Sequence, residues 1–154
     1  MIPFTIIRHS IGSKCLRYLG LGPRFIPCKG IKQIQKLLDE NTTWGQKRTV
    51  NDIKIMLKHS HPVISLWRDQ KIIGFGRATT DQIFRATLWD VVIKKEEQGN
   101  GLGKIIIKHL LATKQLKNVE RVYLMTTDSC SFYEQVGFTK VKDQKLMIKK
   151  LSDY

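Results

Sequence analysis

Three glycines at alternate positions mark the segment of the sequence that is best suited to chemistry. Gly99, Gly101 and Gly103 lie in residues 98–104 (QGNGLGK), between an apolar run and a stretch with helical periodicity. Glycine lets a backbone turn sharply and approach a ligand closely. The first turn of a helix offers unpaired N–H groups and a positive partial charge, and Lys104 adds a full charge beside it. The segment therefore predicts a binding site for a phosphate or pyrophosphate group.

Three known phosphate-binding patterns can be compared with this segment. A P-loop requires glycine five residues before Gly103, where Gln98 stands, and serine or threonine where Ile105 stands. A dinucleotide fingerprint requires glycine where Lys104 stands. The pattern that fits is [QR]-x-x-G-x-[GA], with Gly101 as its first glycine. Neither a P-loop nor a dinucleotide fingerprint is therefore present in this segment.

The elements that must position this segment follow from hydrophobic periodicity and turn residues. The pattern predicts helices over residues 31–40, 49–58, 102–116 and 129–135, and strands over residues 63–67, 71–78, 84–93, 121–126 and 138–149. Thr49 or Asn51 is expected to cap the second helix, and Asp69-Gln70 to turn a hairpin. Residues 23–27 are expected to form a short edge strand. The alternation of strands and helices in the second half predicts an α/β fold with a mixed sheet.

Residues 98–104 resemble the acyl-CoA signature of the GNAT acetyltransferase superfamily. Two contexts strengthen the resemblance: the strand ending in residues 90–93 (DVVI), and residues 132–138 (FYEQVGF), which are similar to an F-Y-x-x-x-G-F element of the same superfamily. Residues 53–60, 73–79 and 86–93 resemble its cyanobacterial and plastid branch, which includes chloroplast serotonin or arylalkylamine N-acetyltransferases. The resemblance covers roughly residues 31–149. It implies a GNAT acyl-CoA N-acyltransferase fold, with six to seven strands in a mixed sheet and about four helices.

The resemblance also implies acetyl-CoA as co-substrate and gives roles to particular residues. Val91, Val92 and Ile93 would hydrogen-bond the pantetheine arm through their backbone. The remaining cofactor contacts would come from Gln98, Gly99, Asn100, Gly101, Leu102, Gly103, Lys104, Asp128 and Phe132. Trp89, and with it Trp44, would wall the acceptor pocket. The loops at residues 126–129 and 142–145 depart from the family pattern, so the resemblance does not carry the acceptor's identity.

Acetyl transfer to an amine needs a proton acceptor for the amine and a proton donor for the departing thiolate. The resemblance implies Tyr133 as the general acid. Asp90 is the candidate base, because a carboxylate within an apolar strand is costly to bury unless it is paired or functional. Two alternatives stay open: a structural ion pair with Arg77 or Arg85, and an ordered water acting as the base. Strand alternation puts Asp90 and Trp89 on opposite faces unless a bulge intervenes.

Composition limits the remaining possibilities. With 27 Lys+Arg against 13 Asp+Glu, the chain carries a net charge of +14, which suits nucleic acid, an anionic membrane surface, a polyanionic small ligand or simple solubility. The three cysteines are widely spaced, which favours a reducing compartment. No metal site is expected, since His59 and His61 lack a second ligand cluster.

The domain plan and the setting of the protein are expectations of the same kind. Residues 1–20 are expected to form a basic N-terminal arm that contacts a polyanion, and residues 21–154 a single GNAT domain. The protein is expected to be a monomer or homodimer without a membrane span, in a cyanobacterial cytosol or a plastid stroma. The alternative function is a basic nucleic-acid-binding protein on a GNAT-like fold without acetyl transfer.

Overall fold

A five-stranded mixed sheet forms the centre of the molecule. The computed structural model describes residues 3–9, 23 and 29–151. The strands are β1 (Thr5–His9), β2 (Val63–Arg68), β3 (Lys71–Thr80), β4 (Arg85–Ile93) and β5 (Arg121–Tyr123). They lie side by side in chain order; β1 to β4 are antiparallel, and β5 runs parallel to β4. The predicted α/β fold with a mixed sheet is confirmed.

Helices cover both faces of the sheet and enclose two apolar clusters. The helices are α1 (Gly30–Asn41), α2 (Val50–Lys58), α3 (Leu102–Leu111) and α4 (Cys130–Glu134). Helices α1 and α2 share one cluster with Phe75 and Val92 of the sheet. Helix α3 packs into the other cluster, with Ile64 and Leu88. No helix in the described part of the chain is long and apolar enough to cross a membrane.

Local signals placed the first helices and the hairpin correctly. Helix α2 begins after Thr49, whose hydroxyl accepts a hydrogen bond from Asp52 N while the Asp52 carboxylate accepts one from Thr49 N. This capping box satisfies two N–H groups that the helix start leaves free. Asp69 and Gln70 turn the β2–β3 hairpin with φ of 46° and 63°, a conformation that these residue types tolerate and that matches the twist of the strands.

A β-bulge interrupts the pairing of β3 with β4. Phe75 pairs with Val92 and Arg77 with Trp89, so one residue of β3 faces two residues of β4, Asp90 and Val91. Asp90 has φ of 51°, in the left-handed region. Strand β3 also approaches α3 closely next to the bulge, because a Cβ at Gly76 would lie 2.6 Å from Ile106 Cγ2 of α3. Both features let α3 pack tightly on the strand beside the bulge.

Several predicted elements are shorter than expected, and one is wrong. The strand predicted over residues 138–149 does not form; Met147 and Ile148 are 90% and 79% exposed. A β-rich run becomes a strand only where a neighbouring strand supplies hydrogen-bond partners, and none of the described strands pairs with it. The sheet therefore has five strands over the described residues, not six to seven. Helix α3 ends at Leu111 rather than at residue 116. Just after its end, the Thr113 hydroxyl donates to Leu110 O at 2.7 Å, a side-chain bond that competes with continuation of the helix.

The N-terminal prediction is corrected in part. Residues Thr5–His9, expected in a loosely attached arm, form β1 and pair with all of Val63 to Trp67. The remainder of the predicted arm, residues 10–20, and most of the predicted edge strand at 23–27 lie outside the described residues. The domain boundaries stay a prediction.

Candidate active site

The site is built around an opening between the two parallel strands. Only three residues of each strand are paired: Arg85 to Thr87 of β4 pair with Arg121 to Tyr123 of β5. Strand β4 continues to Ile93 without a described strand beside it on that edge. Beyond the bulge this edge of β4 has no strand partner at the positions predicted to bind pantetheine, although Ile93 O already accepts a hydrogen bond from Gln98 Nε2.

The glycine segment lies at the end of β4, between the opening and α3. Gly101 is the N-terminal cap of α3 with φ of 74°, and Gly99 has φ of 79°. A Cβ built at either glycine meets nothing within 4 Å, so the space above this turn is open. The first amide groups of α3, including Leu102 N and Gly103 N, lack helical partners, and Lys104 beside them is exposed. The turn before α3 therefore forms a cradle of backbone groups, and its role as an anion site stays a prediction.

Side chains of the segment hold the cradle in shape. Gln98 Nε2 donates to Ile93 O at 3.0 Å, and Asn100 Nδ2 donates to Glu97 O at 3.3 Å. Glu97, in the 3-10 turn Lys95–Glu97, forms an ion pair with Arg68 of β2. The side chains of Gln98 and Asn100 are thus engaged with their own chain, and the groups left for a ligand are backbone amides and Lys104.

Helix α4 brings an aromatic pair, Phe132 and Tyr133, to the apolar cluster around α3. The Phe132 ring lies against α3 where a Cβ on Gly103 would be 2.9 Å from Cζ, so only glycine fits at this position without a shift. Tyr133 stacks edge-on with Phe132 at 5.0 Å and with Phe138 at 5.9 Å. Burial raises the pKa of the Tyr133 phenol above its ordinary value of 10.0, because the charged form loses hydration. The phenol therefore keeps its proton at neutral pH.

Asp90 lies within a cluster of two arginines. Its Oδ2 accepts hydrogen bonds from Arg77 Nε at 2.5 Å and from Arg48 Nη1 at 3.0 Å. The ion-pair alternative is confirmed for Arg77; it is wrong for Arg85, which pairs with Glu120 at 3.1 Å. Sequence reasoning missed Arg48, which comes from the loop between α1 and α2. No local pattern could have found it, because it is 42 residues from its partner.

The bulge places both candidate acceptor-side residues of β4 on the same face. Trp89 Nε1 donates to Thr79 Oγ1 at 2.8 Å, and the Arg77 guanidinium lies over the Trp89 ring at 5.7 Å. The bulge thus overrides simple alternation, because Arg77 contacts both Trp89 and Asp90. Trp44 is 53% exposed, and Arg48 lies over its ring at 5.7 Å. Two tryptophans therefore flank the two arginines.

Other sequence candidates stand apart from this arrangement. Asp128 is exposed. Cys130 is a free, half-buried thiol at the start of α4. A groove of about 520 Å³ follows α3 from Lys104 to Ala112 and reaches Val136, so it adjoins the cradle and not the arginines. Among the residues that the structure describes, no group of three His, Cys, Asp or Glu side chains could hold a metal ion.

The sheet, the cradle and the opening together define an acyl-CoA N-acyltransferase class of fold. A family model, Acetyltransferase (GNAT) family, matches residues 31–138, and the chain belongs to this family. The sequence-based assignment is confirmed. A GNAT-family acetyltransferase from Streptococcus pneumoniae superimposes with a TM-score of 0.73 at 17% identity, covering 98% of this chain and 100% of that one, a likeness of fold.

Sequence relatives agree with the cyanobacterial and plastid branch. The chain is 41% identical over 102 residues to ycf52 of Pyropia yezoensis, an uncharacterized N-acetyltransferase. This match covers 63% of this chain and 59% of that protein. It is 36% identical over 72 residues to the chloroplastic GCN5-related N-acetyltransferase 2 of Arabidopsis thaliana, covering 46% of this chain and 28% of that protein. The chain thus matches less than two thirds of the length of either relative.

Proposed function

We propose that the protein transfers an acetyl group from acetyl-CoA directly to a primary amine. The observation that carries this proposal is the cradle at the start of α3, placed beside the unpaired edge of β4. A cradle of amides suits a pyrophosphate, and an unpaired strand edge suits the amide groups of a pantetheine arm. Family membership supports the same chemistry.

The donor would be held mainly by backbone groups. The amides at Gly99, Gly101 and Gly103 would take the pyrophosphate, with Lys104 adding charge. The backbone of β4 from Val91 to Ile93 would pair with the pantetheine, and Phe132 would close the cradle over α3. When bound, acetyl-CoA supplies an activated thioester. The chain's own contribution is to hold and orient it at the strand edge.

Tyr133 is proposed as the general acid. The reaction releases a thiolate, which needs a proton, and a phenol whose pKa is raised by burial carries one at neutral pH. The Tyr133 hydroxyl has no hydrogen-bond partner among the described residues, so its proton is free for a ligand. Its position on α4, which follows the open end of β5, supports this role.

Asp90 is proposed as the base, with an ordered water as the alternative. Oδ2 is already engaged by two guanidinium groups, so the amine proton would go to Oδ1, which has no partner among the residues described. If Oδ1 serves only to order a water, that water takes the proton instead. In both arrangements one proton leaves the amine for each acetyl group transferred.

The acceptor is proposed to be a small arylalkylamine, a protein lysine or a protein N-terminus. Trp44 and Trp89 support an aromatic acceptor, because their rings lie on the side of Asp90. The site of action is proposed to be a cyanobacterial cytosol or a plastid stroma, as the chloroplastic relative suggests.

Isothermal titration with acetyl-CoA tests the donor half, and release of free thiol in the presence of mixed amines tests transfer. We expect binding at or below about 1 mM, the upper end of usual KM values, and thiol release that depends on the amine. Absence of both contradicts the proposal. The net charge of +14 is the observation that supports the alternative function, nucleic-acid binding. An affinity for RNA or DNA that falls steeply with salt, without any thiol release, would establish that alternative.

A further inference from the structure

The arginine cluster around Asp90 has more positive charge than the carboxylate can neutralise. Arg48 and Arg77 both donate to one oxygen, Asp90 Oδ2, so two guanidinium charges face a single carboxylate charge. Counting only these three side chains, Arg48, Arg77 and Asp90 together carry one net positive charge.

Several donors of the cluster are also left over. Arg77 Nη1 donates to Ser60 Oγ at 3.1 Å, and Arg48 Nη1 lies 3.5 Å from Met56 Sδ. Nε and Nη2 of Arg48 and Nη2 of Arg77 are not bonded to any described residue, and they are not among the fully buried polar atoms. The Arg48 side chain is 29% exposed. A guanidinium with free N–H groups on one edge can bind a carboxylate in a bidentate geometry.

The loop that carries Arg48 is fixed in place. Arg48 O accepts a hydrogen bond from Gln35 Nε2 at 2.8 Å, and Lys47 N donates to Asp39 Oδ1 at 3.0 Å. Gly45 is buried, and a Cβ there would lie 2.7 Å from Thr42 Oγ1. Because the backbone is held at these points, little conformational entropy would be lost when Arg48 binds a ligand.

The same loop adjoins the donor side of the site. Asn41, the last residue of α1, accepts a hydrogen bond from Lys95 N at 2.7 Å through Oδ1. Lys95 begins the turn that leads into the cradle. Asp90 itself lies on the bulge, in the part of β4 that β5 does not pair. Both arginines therefore contact a residue of β4 that lies in its unpaired part, where the donor is proposed to bind.

From this arrangement we propose that the acceptor is a primary amine that also carries a carboxylate, and that Arg48 binds this carboxylate. The inference rests on the proposed acetyl transfer and narrows its acceptors to amines that carry a carboxylate, which a simple arylalkylamine lacks. A net positive charge beside the amine also favours the neutral amine over its ammonium form, which suits nucleophilic attack. Polycationic amines are disfavoured for the same reason.

Matched acceptors that differ only in charge test this proposal. The small pair is 4-aminobutanoate and 4-aminobutanamide; the peptide pair is a lysine peptide with glutamate beside the lysine and the same peptide with glutamine. Steady-state kcat and KM are measured with saturating acetyl-CoA for wild type, Arg48→Gln and Lys47→Gln. Lys47 is an exposed cation of the same loop, so its variant makes the same charge change without touching Asp90.

We expect the wild type to prefer one or both carboxylate acceptors, and the pair that shows the preference distinguishes a small molecule from a peptide. Arg48→Gln should lower the ratio of kcat/KM for the carboxylate acceptor to kcat/KM for its neutral partner about ten- to hundredfold, the value of a charged hydrogen bond. The ratio is compared because Arg48 also contacts Asp90, so the variant can lower kcat for both acceptors alike. Lys47→Gln should keep the preference.

Equal wild-type efficiency with charged and neutral acceptors overturns the proposal and leaves acetyl transfer standing. An equal loss for both acceptors in Arg48→Gln shows a structural role and overturns it as well. If no amine of any kind is acetylated although the protein is folded, the proposed transfer fails, and this inference falls with it.

Discussion

Gly101→Ala separates the cradle's role in binding from its role in folding. Gly101 caps α3 with φ of 74°, and a Cβ there meets nothing within 4 Å. The substitution therefore adds no clash within the protein. It introduces strain in the left-handed region, and it places a methyl group in the open space where the pyrophosphate is proposed to bind.

The two costs can be estimated separately. A left-handed non-glycine residue costs roughly 1–2 kcal/mol, which corresponds to a fall in Tm of about 2–8 °C for a chain of this size. If the methyl group removes one charged hydrogen bond between the cradle and phosphate, the loss is about 1.5–3 kcal/mol, or about ten- to hundredfold in Kd.

Thermal unfolding and isothermal titration with acetyl-CoA measure both costs, and Gly137→Ala is the matched control. Gly137 also has positive φ, 93°, and open space at its Cβ, but it lies after α4 and outside the cradle. We expect similar falls in Tm for the two variants and weaker acetyl-CoA binding for Gly101→Ala alone. Equal affinity of wild type and Gly101→Ala for acetyl-CoA would refute the assignment of the cradle.

Two further predictions concern the proton transfers. Tyr133→Phe should lower kcat at least tenfold while leaving the acetyl-CoA Kd within about twofold, because general-acid catalysis contributes about 10²–10⁴; unchanged kcat would remove Tyr133 from the mechanism. Burial raises the pKa of Tyr133 in the folded protein above 10.0. The protonated phenol therefore contributes fully to stability below pH 10, and this contribution is lost as the pH rises through the folded pKa. Above pH 10 the Tm of wild type should consequently fall relative to the Tm of Tyr133→Phe. Asp90→Asn should reduce kcat most at low pH, where the amine is protonated, and a pH–rate profile of unchanged shape would identify water as the base.

The sequence predicted those features that depend on neighbours along the chain. The Thr49 cap lies three residues from its partner Asp52, and the hairpin turn lies between the strands that it joins. The glycine turn before α3 was predictable for the same reason, because all its residues fall within seven consecutive positions. Local propensity and spacing are sufficient to specify such features.

Features that depend on distant parts of the chain were missed. Arg48 meets Asp90 across 42 residues, and nothing near either residue indicates the contact. The strand predicted over residues 138–149 has suitable residue types, but a strand also needs a neighbouring edge, which the sequence pattern does not supply. A bulge was foreseen as an exception to strand alternation, but its position was not, because that position depends on the register between β3 and β4.

The bulge has a consequence for the apolar residues of β4. Leu88 and Val91 contact the cluster beneath α3, while Val92 contacts the cluster beneath α1 and α2. Without residue 90, the order 88, 89, 91, 92 would already alternate correctly between the two faces. Asp90 is therefore a supernumerary residue in an otherwise regular strand. The apolar residues of β4 therefore keep their alternation whatever stands at position 90, and the position is tied to the rest of the molecule mainly through Arg48 and Arg77.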